Sequence, residues 1–474
     1  MAESPASWET VVGLEVHCEL RTQTKLFCGC RNAFGEEPNT NVCPVCLGLP
    51  GSLPVLNRRA VELAMAIGEA LHCEIRPSLF HRKNYFYPDM PKDYQVSQYD
   101  EPINVDGWLE LPDGTRIGIV RAHMEEDTGK STHMGGGGRI HDAAYSLVDY
   151  NRAGVPLVEI VSHPELRSGE QAREYVSELR AILVATGASD GKMEEGSLRV
   201  DANVSVRPAG SDAYGTRCEV KNLNSLRSLG RAIEHEAIRQ ARVWEAGEVV
   251  KQETRHWDEA NDRTISGRSK EEANDYRYFP EPDLLPLAPS EEWLAMVRSS
   301  LPPMPAVRRA RLAELAGTEP KEVATVVDLQ LDHLVLAAAD AGADANLAVR
   351  RVTNEVAADP LRARQLDAAA FANLVLLEAK GALTPTQAKQ VLSEMLHGGG
   401  DPEAIARDRG FEAMDAGALT TVLDEAIAAH PDEWERFRDG DQKLMGFFVG
   451  QVMKATRGQA DGRAVSALLR QRGR

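Results

Sequence analysis

No run of eighteen apolar residues occurs anywhere in the 474-residue chain, so no stretch of it is fit to cross a membrane as a helix. The start, MAESPASWETVVG, has no basic patch followed by an apolar stretch, so no secretory leader is expected and the expected address is cytoplasmic. Basic charge is in short supply. Fifty-four Lys and Arg against 72 Asp and Glu leave a net −18, which argues against a protein that coats nucleic acid non-specifically. The seven cysteines are an odd number in a long chain, which reads as metal ligands or free thiols rather than a disulfide framework. No internal repeat is visible. A complete P-loop is also missing: Gly129-Lys130-Ser131 resembles the end of one, but its first glycine would fall on Met124.

What is present suits a soluble globular protein of two to four domains, with 43% apolar and 27% charged residues. Composition changes near residue 290. All ten tyrosines and all seven cysteines precede residue 280, and the remainder is rich in Ala, Leu, Glu and Arg. The change falls across PEPDLLPLAPS (280–290), whose four prolines cannot lie inside a helix. This predicts an α+β domain over 1–292 and all-α segments beyond it, divided again by GGGD (398–401) into 293–400 and 401–474. The last segment is locally basic: residues 442–474 hold seven cations, among them Lys443, Lys454, Arg457 and Arg463, and one acid, Asp461.

Alternation predicts the strands of the first domain. In VVGLEVHCEL (11–20), Val12, Leu14, Val16, Cys18 and Leu20 share one face, and Glu15, His17 and Glu19 share the other. In SLRVDANVSVR (197–207), Arg199 and Asp201 lie on the polar face opposite Val200, Ala202 and Val204. TRIGIVRAHM (115–124) and LVEIV (157–161) read as more interior strands, and helices are predicted near 57–71, 168–186 and 225–246.

Three constellations carry chemistry. Cys28-Gly-Cys30 and Cys43-Pro-Val-Cys46 give CxC and CxxC pairs separated by twelve residues, a spacing at which four thiolates can close a tetrahedron around zinc with no position left for a substrate. Scattered reduced thiols are the plain alternative. Second, Glu15 and His17 project from one strand, HMEEDTGKS (123–131) supplies Glu125, Glu126 and Asp127, and Glu159 sits inside the apolar run PLVEIVS. A carboxylate in such a run is costly unless it is paired or binds a cation. If these strands are neighbours the acids call for Mg²⁺; otherwise Glu125 to Asp127 form a solvated turn and Glu159 pairs with an arginine. Third, HRKNYFYPDMPKDYQVSQYD (81–100) sets Arg82, Lys83 and Lys92 among aromatic rings, which suits a purine with its phosphates or a stacked base, or simply a well-packed loop.

Taken together, GLEVHCEL, RKNYFYPDMPKDYQVSQYD, HMEEDTGKS, NRAGVPLVEIVS, KMEEGSLRVDANVS, EVKNLNSL, DYRYFPEPDL and the late GFFVGQVMKATRG resemble, in order and over nearly the whole chain, the B subunit of the bacterial aspartyl/glutamyl-tRNA amidotransferases. The resemblance implies a cradle domain of antiparallel sheets, kinase-like and related to glutamine synthetase, carrying the zinc knuckle and followed by a helical domain and a tRNA-binding tail. It implies a heterotrimer with two other chains: the amidase, or glutaminase, that releases ammonia from glutamine (the A subunit), and a small linking chain (the C subunit). ATP with Mg²⁺ would phosphorylate the side-chain carboxylate of Asp or Glu misacylated to tRNA(Asn) or tRNA(Gln), and ammonia would then form the amide.

Carried over by motif, His17, Glu126 and Glu159 would bind Mg²⁺, and Glu15 and Glu125 would complete the acidic wall. Lys83, Asn84, Tyr85, Phe86 and Tyr87 would line the ATP and acceptor-stem pocket, with Arg199 and Asp201 as further candidates. Zinc at Cys28, Cys30, Cys43 and Cys46 would be an optional brace, and Lys443, Lys454, Arg457 and Arg463 would meet tRNA. The loop after Lys130, with glycines at 135–138, departs from the family pattern. A tRNA-binding scaffold without catalysis would have no use for Glu159 among apolar neighbours. A self-contained glutamine-dependent enzyme would need an amidase nucleophile that the chain does not offer.

Overall fold

The computed structural model describes residues 8–135, 143–269, 276–411, 416–456, 460 and 462–472, apart from the side chains of 268, 269, 416 and 463. The chain forms two compact units, Met1–Met304 and Pro305–Arg474.

The first unit is α+β. Its strands are β1 (Trp8–Glu19), β2 (Glu74–Ile75), β3 (His81–Asn84), β4 (Tyr94–Ser97), β5 (Asn104–Glu110), β6 (Arg116–Glu126), β7 (Lys130–Met134), β8 (Tyr145–Asp149), β9 (Pro156–Ser162), β10 (Leu198–Pro208), β11 (Cys218–Lys221), β12 (Glu253–Asp258), β13 (Arg263–Ser269) and β14 (Phe279–Pro280). Among the described residues twelve of them form one mixed sheet in the order β13-β12-β11-β10-β1-β9-β6-β4-β3-β14, with β5 pairing β6 and β2. β7 and β8 make a separate hairpin.

The four strands read from alternation all lie in the centre of this sheet, β10-β1-β9-β6. Val12, Leu14, Val16 and Cys18 of β1 are at most 1% exposed, so one face of the alternating pattern is the core. That face is covered by α1 (Arg58–Ala70), α2 (Gly169–Ala185) and α3 (Leu226–Glu245). Each helix starts where a short polar side chain can take orphan amides: Asn57 accepts from Arg59 and Ala60, Ser168 from Gln171, and Ser225 from Ser228. α2 and α3 pack closely because both present glycine. A Cβ on Gly169 would lie 2.5 Å from the Gly230 carbonyl oxygen.

Two expectations need correction. The sheet is not wholly antiparallel, since β11 and β12 run parallel. α3 lies between them in the chain and provides the helical crossover that a parallel pair requires. The first unit also runs twelve residues past the boundary expected at 292, because α4 (Glu291–Ser300) packs on α1. Leu294 and Val297 join the first core, Arg58 lies 4.9 Å over the Trp293 ring, and Arg298 Nε donates to Glu69 at 2.9 Å.

The second unit is helical and, among the described residues, holds two apolar cores. One runs from Leu312 to Ala406 and the other from Leu419 to Leu469. The helix Pro402–Asp408 contributes Ala406 to the earlier core, so the glycines at 398–400 do not separate the two. No described helix is long and apolar enough to cross a membrane.

Candidate functional site

With the apolar face of the sheet covered, the polar faces of its central strands all point to the other side. Register puts Arg199 (β10), His17 (β1), Glu159 (β9) and His123 (β6) in one row, each directly opposite the next. Glu15 and Asp201 face each other one row away, and Glu125 lies one row to the other side on β6. His17 Nε2 is 3.5 Å from Glu159 Oε2 and 3.7 Å from Glu125 Oε1. One ligand atom from each of the three lies within 4.8 Å of the others, a cluster that could hold a metal ion.

The electrostatics are those of a crowded site. Burial opposes a charge on His17, but the hydrogen bond to Glu159 and the charges of Glu125 and Glu159 outweigh it and raise its pKa to about 9. Burial, then the Glu159 charge, pushes Glu125 up to about 7. Burial also opposes ionisation of Glu159, yet His123, His17 and Arg121 together hold its carboxyl well below the usual range. His123 is driven down to about 4 by burial, and neither of its ring nitrogens has a hydrogen-bond partner among the described residues. Glu15, raised mainly by burial and then by Glu159, accepts from Asn203 at 2.9 Å. Lys221 ties Asp201 (2.6 Å) to Glu219 (2.9 Å). Arg199 reaches Asp127 at 2.8 Å, and Glu19 is pushed up to about 7 by burial and then by Asp127.

Aromatic rings border the cluster. Arg121 lies 4.4 Å over Tyr99, Tyr99 stacks on Tyr278 at 5.3 Å, Tyr276 meets Tyr278 edge-on at 6.2 Å, and Lys83 Nζ is 5.0 Å over Tyr276. Lys83 is close enough to lower the pKa of Glu125. Asn84 is a tie for the chain, donating to the Arg277 carbonyl at 2.8 Å. Burial and then Asp89 raise the Tyr85 phenol above its ordinary value. Phe86 and Tyr87 stand at solvent and line a hollow with Pro88, Met90 and Tyr150.

Glu126 is not part of the triad. It follows Glu125 on a strand, so it points through the sheet, where it pairs with Lys92 and accepts from the Val96 amide at 2.9 Å. Sequence reasoning also passed over His123, Arg121 and Lys221 as members of this face. The signal for His123 was the parity it shares with Glu125 in HMEE.

Cys28, Cys30, Cys43 and Cys46 come together, with Cys46 Sγ 3.5, 3.6 and 3.7 Å from those of Cys28, Cys43 and Cys30. A tetrahedron with metal–sulfur bonds of about 2.3 Å has edges of about 3.8 Å, so the set fits a single ion such as zinc. The hydrogen bond from Cys28 is the largest influence holding the Cys46 thiol well below its usual range, with the Lys25 ammonium adding to it. Cys18, Cys73 and Cys218 are raised to about 12, mainly by burial, as inert thiols are.

In the second unit, Lys443 immediately precedes the helix Leu444–Ala455 and Lys454 lies in its last turn, both open to solvent. Arg457 and the side chain of Arg463 lie outside the described residues, as do residues 136–138 of the glycine loop. Arg472, another cation of the tail, is paired with Asp424.

Comparison with known proteins bears on all of this. A family model described as the GatB/GatE catalytic domain matches residues 10–295, and one described as the GatB domain matches 333–472. The chain belongs to this family. It is 52% identical to the B subunit of the aspartyl/glutamyl-tRNA(Asn/Gln) amidotransferase of Frankia casuarinae, over 98% of this chain and 96% of the relative. It is 50% identical to the protein of the same name from Nocardia farcinica (99% and 96%) and 48% identical to that of Carboxydothermus hydrogenoformans (98% and 98%). The GatB/GatE catalytic match covers every member of the acidic face and the cysteine cluster. The GatB-domain match covers the basic helices.

Proposed function

We propose that the chain is the B subunit of a tRNA-dependent amidotransferase and that its acidic sheet face activates the Asp or Glu side chain of misacylated tRNA(Asn) or tRNA(Gln) with Mg-ATP. The observation that carries this reading is the convergence of His17, Glu125 and Glu159, three potential ligands within 4.8 Å on one buried sheet face. Two carboxylates and one imidazole suit a divalent cation and leave positions free for phosphate oxygens and water. Glu125 takes the place expected for Glu126, which is engaged by Lys92 on the far side of the sheet. His17, Glu125 and Glu159 would hold Mg²⁺, which would supply positive charge to the phosphates of ATP. A carboxylate does not accept ammonia until its oxygen becomes a leaving group, and phosphoryl transfer asks the protein for positioning and charge rather than covalent help.

The residues divide that work. Glu125 and Glu159 would hold the cation, and His17 would complete the set with Nε2. Lys83, beside Glu125, offers a cation to a phosphate. The Tyr99, Tyr276 and Tyr278 rings offer flat surfaces to a base. Glu15 and Asp201, held by Asn203 and Lys221, extend the wall. Ammonia would come from a separate amidase chain, as the names of the related B subunits of a multi-subunit amidotransferase suggest. A small third chain would complete a cytoplasmic heterotrimer. The mixed sheet with helices on one face suits a kinase-like cradle related to glutamine synthetase. The four clustered thiols suit one structural zinc, and the exposed Lys443 and Lys454 suit the phosphates of tRNA. A pure scaffold would gain nothing from burying repelling carboxylates.

Three outcomes test the reading. Glu125→Gln and Glu159→Gln in the assembled enzyme should each lower ATP-dependent amide formation by about 100-fold even with ammonium supplied, while tRNA affinity stays within about twofold. Full activity in both variants contradicts it. Purified protein should contain about one zinc per chain, and Cys43→Ser should lose it together with about 5 °C or more of Tm. A metal-free protein of unchanged stability would overturn the zinc assignment. In a salt series, Lys443→Gln/Lys454→Gln should reduce the slope of log affinity for tRNA by about 1.5 units, each lost phosphate contact removing about 0.7–0.9. An unchanged slope means that these lysines do not meet the nucleic acid.

A further inference from the structure

Lys25 is fully buried, and among the described residues no carboxylate pairs with it. Its Nζ donates to two acceptors, the Asn41 carbonyl at 3.0 Å and Cys46 Sγ at 3.6 Å. A buried ammonium without a counter-charge is costly. Four thiolates around a divalent metal carry an excess of two negative charges, and Lys25 is placed to offset one of them.

The Asn41 carbonyl leads elsewhere. Asn41 belongs to the segment between the two cysteine pairs, and that segment clasps the turn after β8. The Asn41 amide donates to Asn151 Oδ1 at 2.8 Å, Asn151 Nδ2 donates to the Glu37 carbonyl at 2.7 Å, and the Tyr150 amide donates to Asn39 Oδ1 at 2.8 Å. Asn39 also donates to the Val148 carbonyl and, through its amide, to Asp149 Oδ1, each at 3.0 Å. The clasped turn carries Arg152, which donates to the Thr128 and Gly129 carbonyls at 3.0 Å and faces Asp127 Oδ2 at 3.4 Å. The Gly154 amide donates to the Asp127 carbonyl at 3.0 Å, and the Leu26 amide, next to Lys25, donates to the Gly154 carbonyl at 2.9 Å. Asp127 in turn holds Arg199, the cation opposite His17. Hydrogen bonds and one ion pair, joined through neighbouring residues of the backbone, therefore run from the cysteine cluster to the row of the acidic face.

We propose that Lys25 is a positioning residue that joins the metal-bearing cysteine cluster to the Asn151–Val155 turn and, through Arg152 and Asp127, sets the end of β6 where the acidic triad forms. The inference rests on the zinc reading of the cluster. It makes the cluster a strut for the acidic face rather than a brace for its own loop. Glycine at 154 suits the turn's backbone, whose φ is +84°; a Cβ there would be in ordinary contact with Lys25 Cδ, at 3.7 Å, so the turn lies against the Lys25 side chain.

Amide hydrogen exchange on the full chain tests it, in zinc-replete protein, in protein stripped by a chelator, and in zinc-loaded Lys25→Met. Stripping should speed exchange of the Tyr150–Val155 amides by about tenfold or more and leave α2 at its original rate. Lys25→Met should loosen the same turn with zinc still bound and release zinc to the chelator about tenfold faster. With cobalt(II) in place of zinc, Lys25→Met should move the thiolate-to-metal absorption band to longer wavelength, since the sulfur loses its hydrogen bond. Unchanged exchange at 150–155 after stripping overturns the proposal, as does loosening of α2 to the same extent. If Lys25→Met does not fold, the stripping arm on the unaltered chain decides. None of these readouts depends on amide formation, so failure of the strut is distinguishable from failure of the proposed function, and protein that carries no metal removes the zinc reading itself.

Discussion

The mutual repulsion of carboxylates held on one buried sheet face is the constraint around which the first unit is built. Two such charges within 4.8 Å of each other are opposed by about 3.5 kcal/mol or more at an effective dielectric of 20. The fold sustains that cost with order. Register across β10, β1, β9 and β6 places Arg199, His17, Glu159 and His123 opposite one another, and the raised pKa of His17 together with the lowered one of Glu159 shows the pair sharing the load. Glu125 is the member left unbalanced, its pKa lifted to about 7. A divalent cation, as proposed for His17, Glu125 and Glu159, would relieve this imbalance. The same strands can hold the arrangement because their other face is sealed by α1, α2 and α3 over side chains that are almost wholly buried.

Much of this was legible in the residues. The alternation of VVGLEVHCEL and SLRVDANVSVR separated the buried face from the polar face, since period-two burial is what a half-covered sheet imposes. The helices expected near 57–71, 168–186 and 225–246 are α1, α2 and α3, each within a residue of those limits, and Asn57, Ser168 and Ser225 cap their starts. The choice between Glu125 and Glu126 was not legible. MEED offers three acids in succession, and a shift of one residue at a strand end turns a ligand into a group on the far side of the sheet. Only the pairing of Glu125 with Leu157 and of Glu126 with Pro156 shows which acid shares a face with His17. The domain limit was missed for a related reason. Proline marks the end of a segment but does not say which core the next helix will join, and Trp293, Leu294 and Val297 turn α4 back onto α1.

The cysteine cluster belongs in the same picture. Its spacing was plain in the sequence, but its reach was not. Lys25, Asn39, Asn41 and Asn151 look like ordinary polar residues until the fold brings residues 37–41 against 148–151. The second unit is organised differently. Its described cores are made by short helices, and Lys443 and Lys454 stand exposed at the two ends of one of them, Leu444–Ala455.

The central claim is that a divalent cation is held by His17, Glu125 and Glu159. The most direct measurement is anomalous scattering from crystals of the assembled enzyme grown with Mn²⁺ in place of Mg²⁺. The account predicts a peak about 2.2 Å from His17 Nε2 and from one oxygen each of Glu125 and Glu159. A peak at Glu126 on the opposite face, or no peak on this face at saturating Mn²⁺, would contradict it.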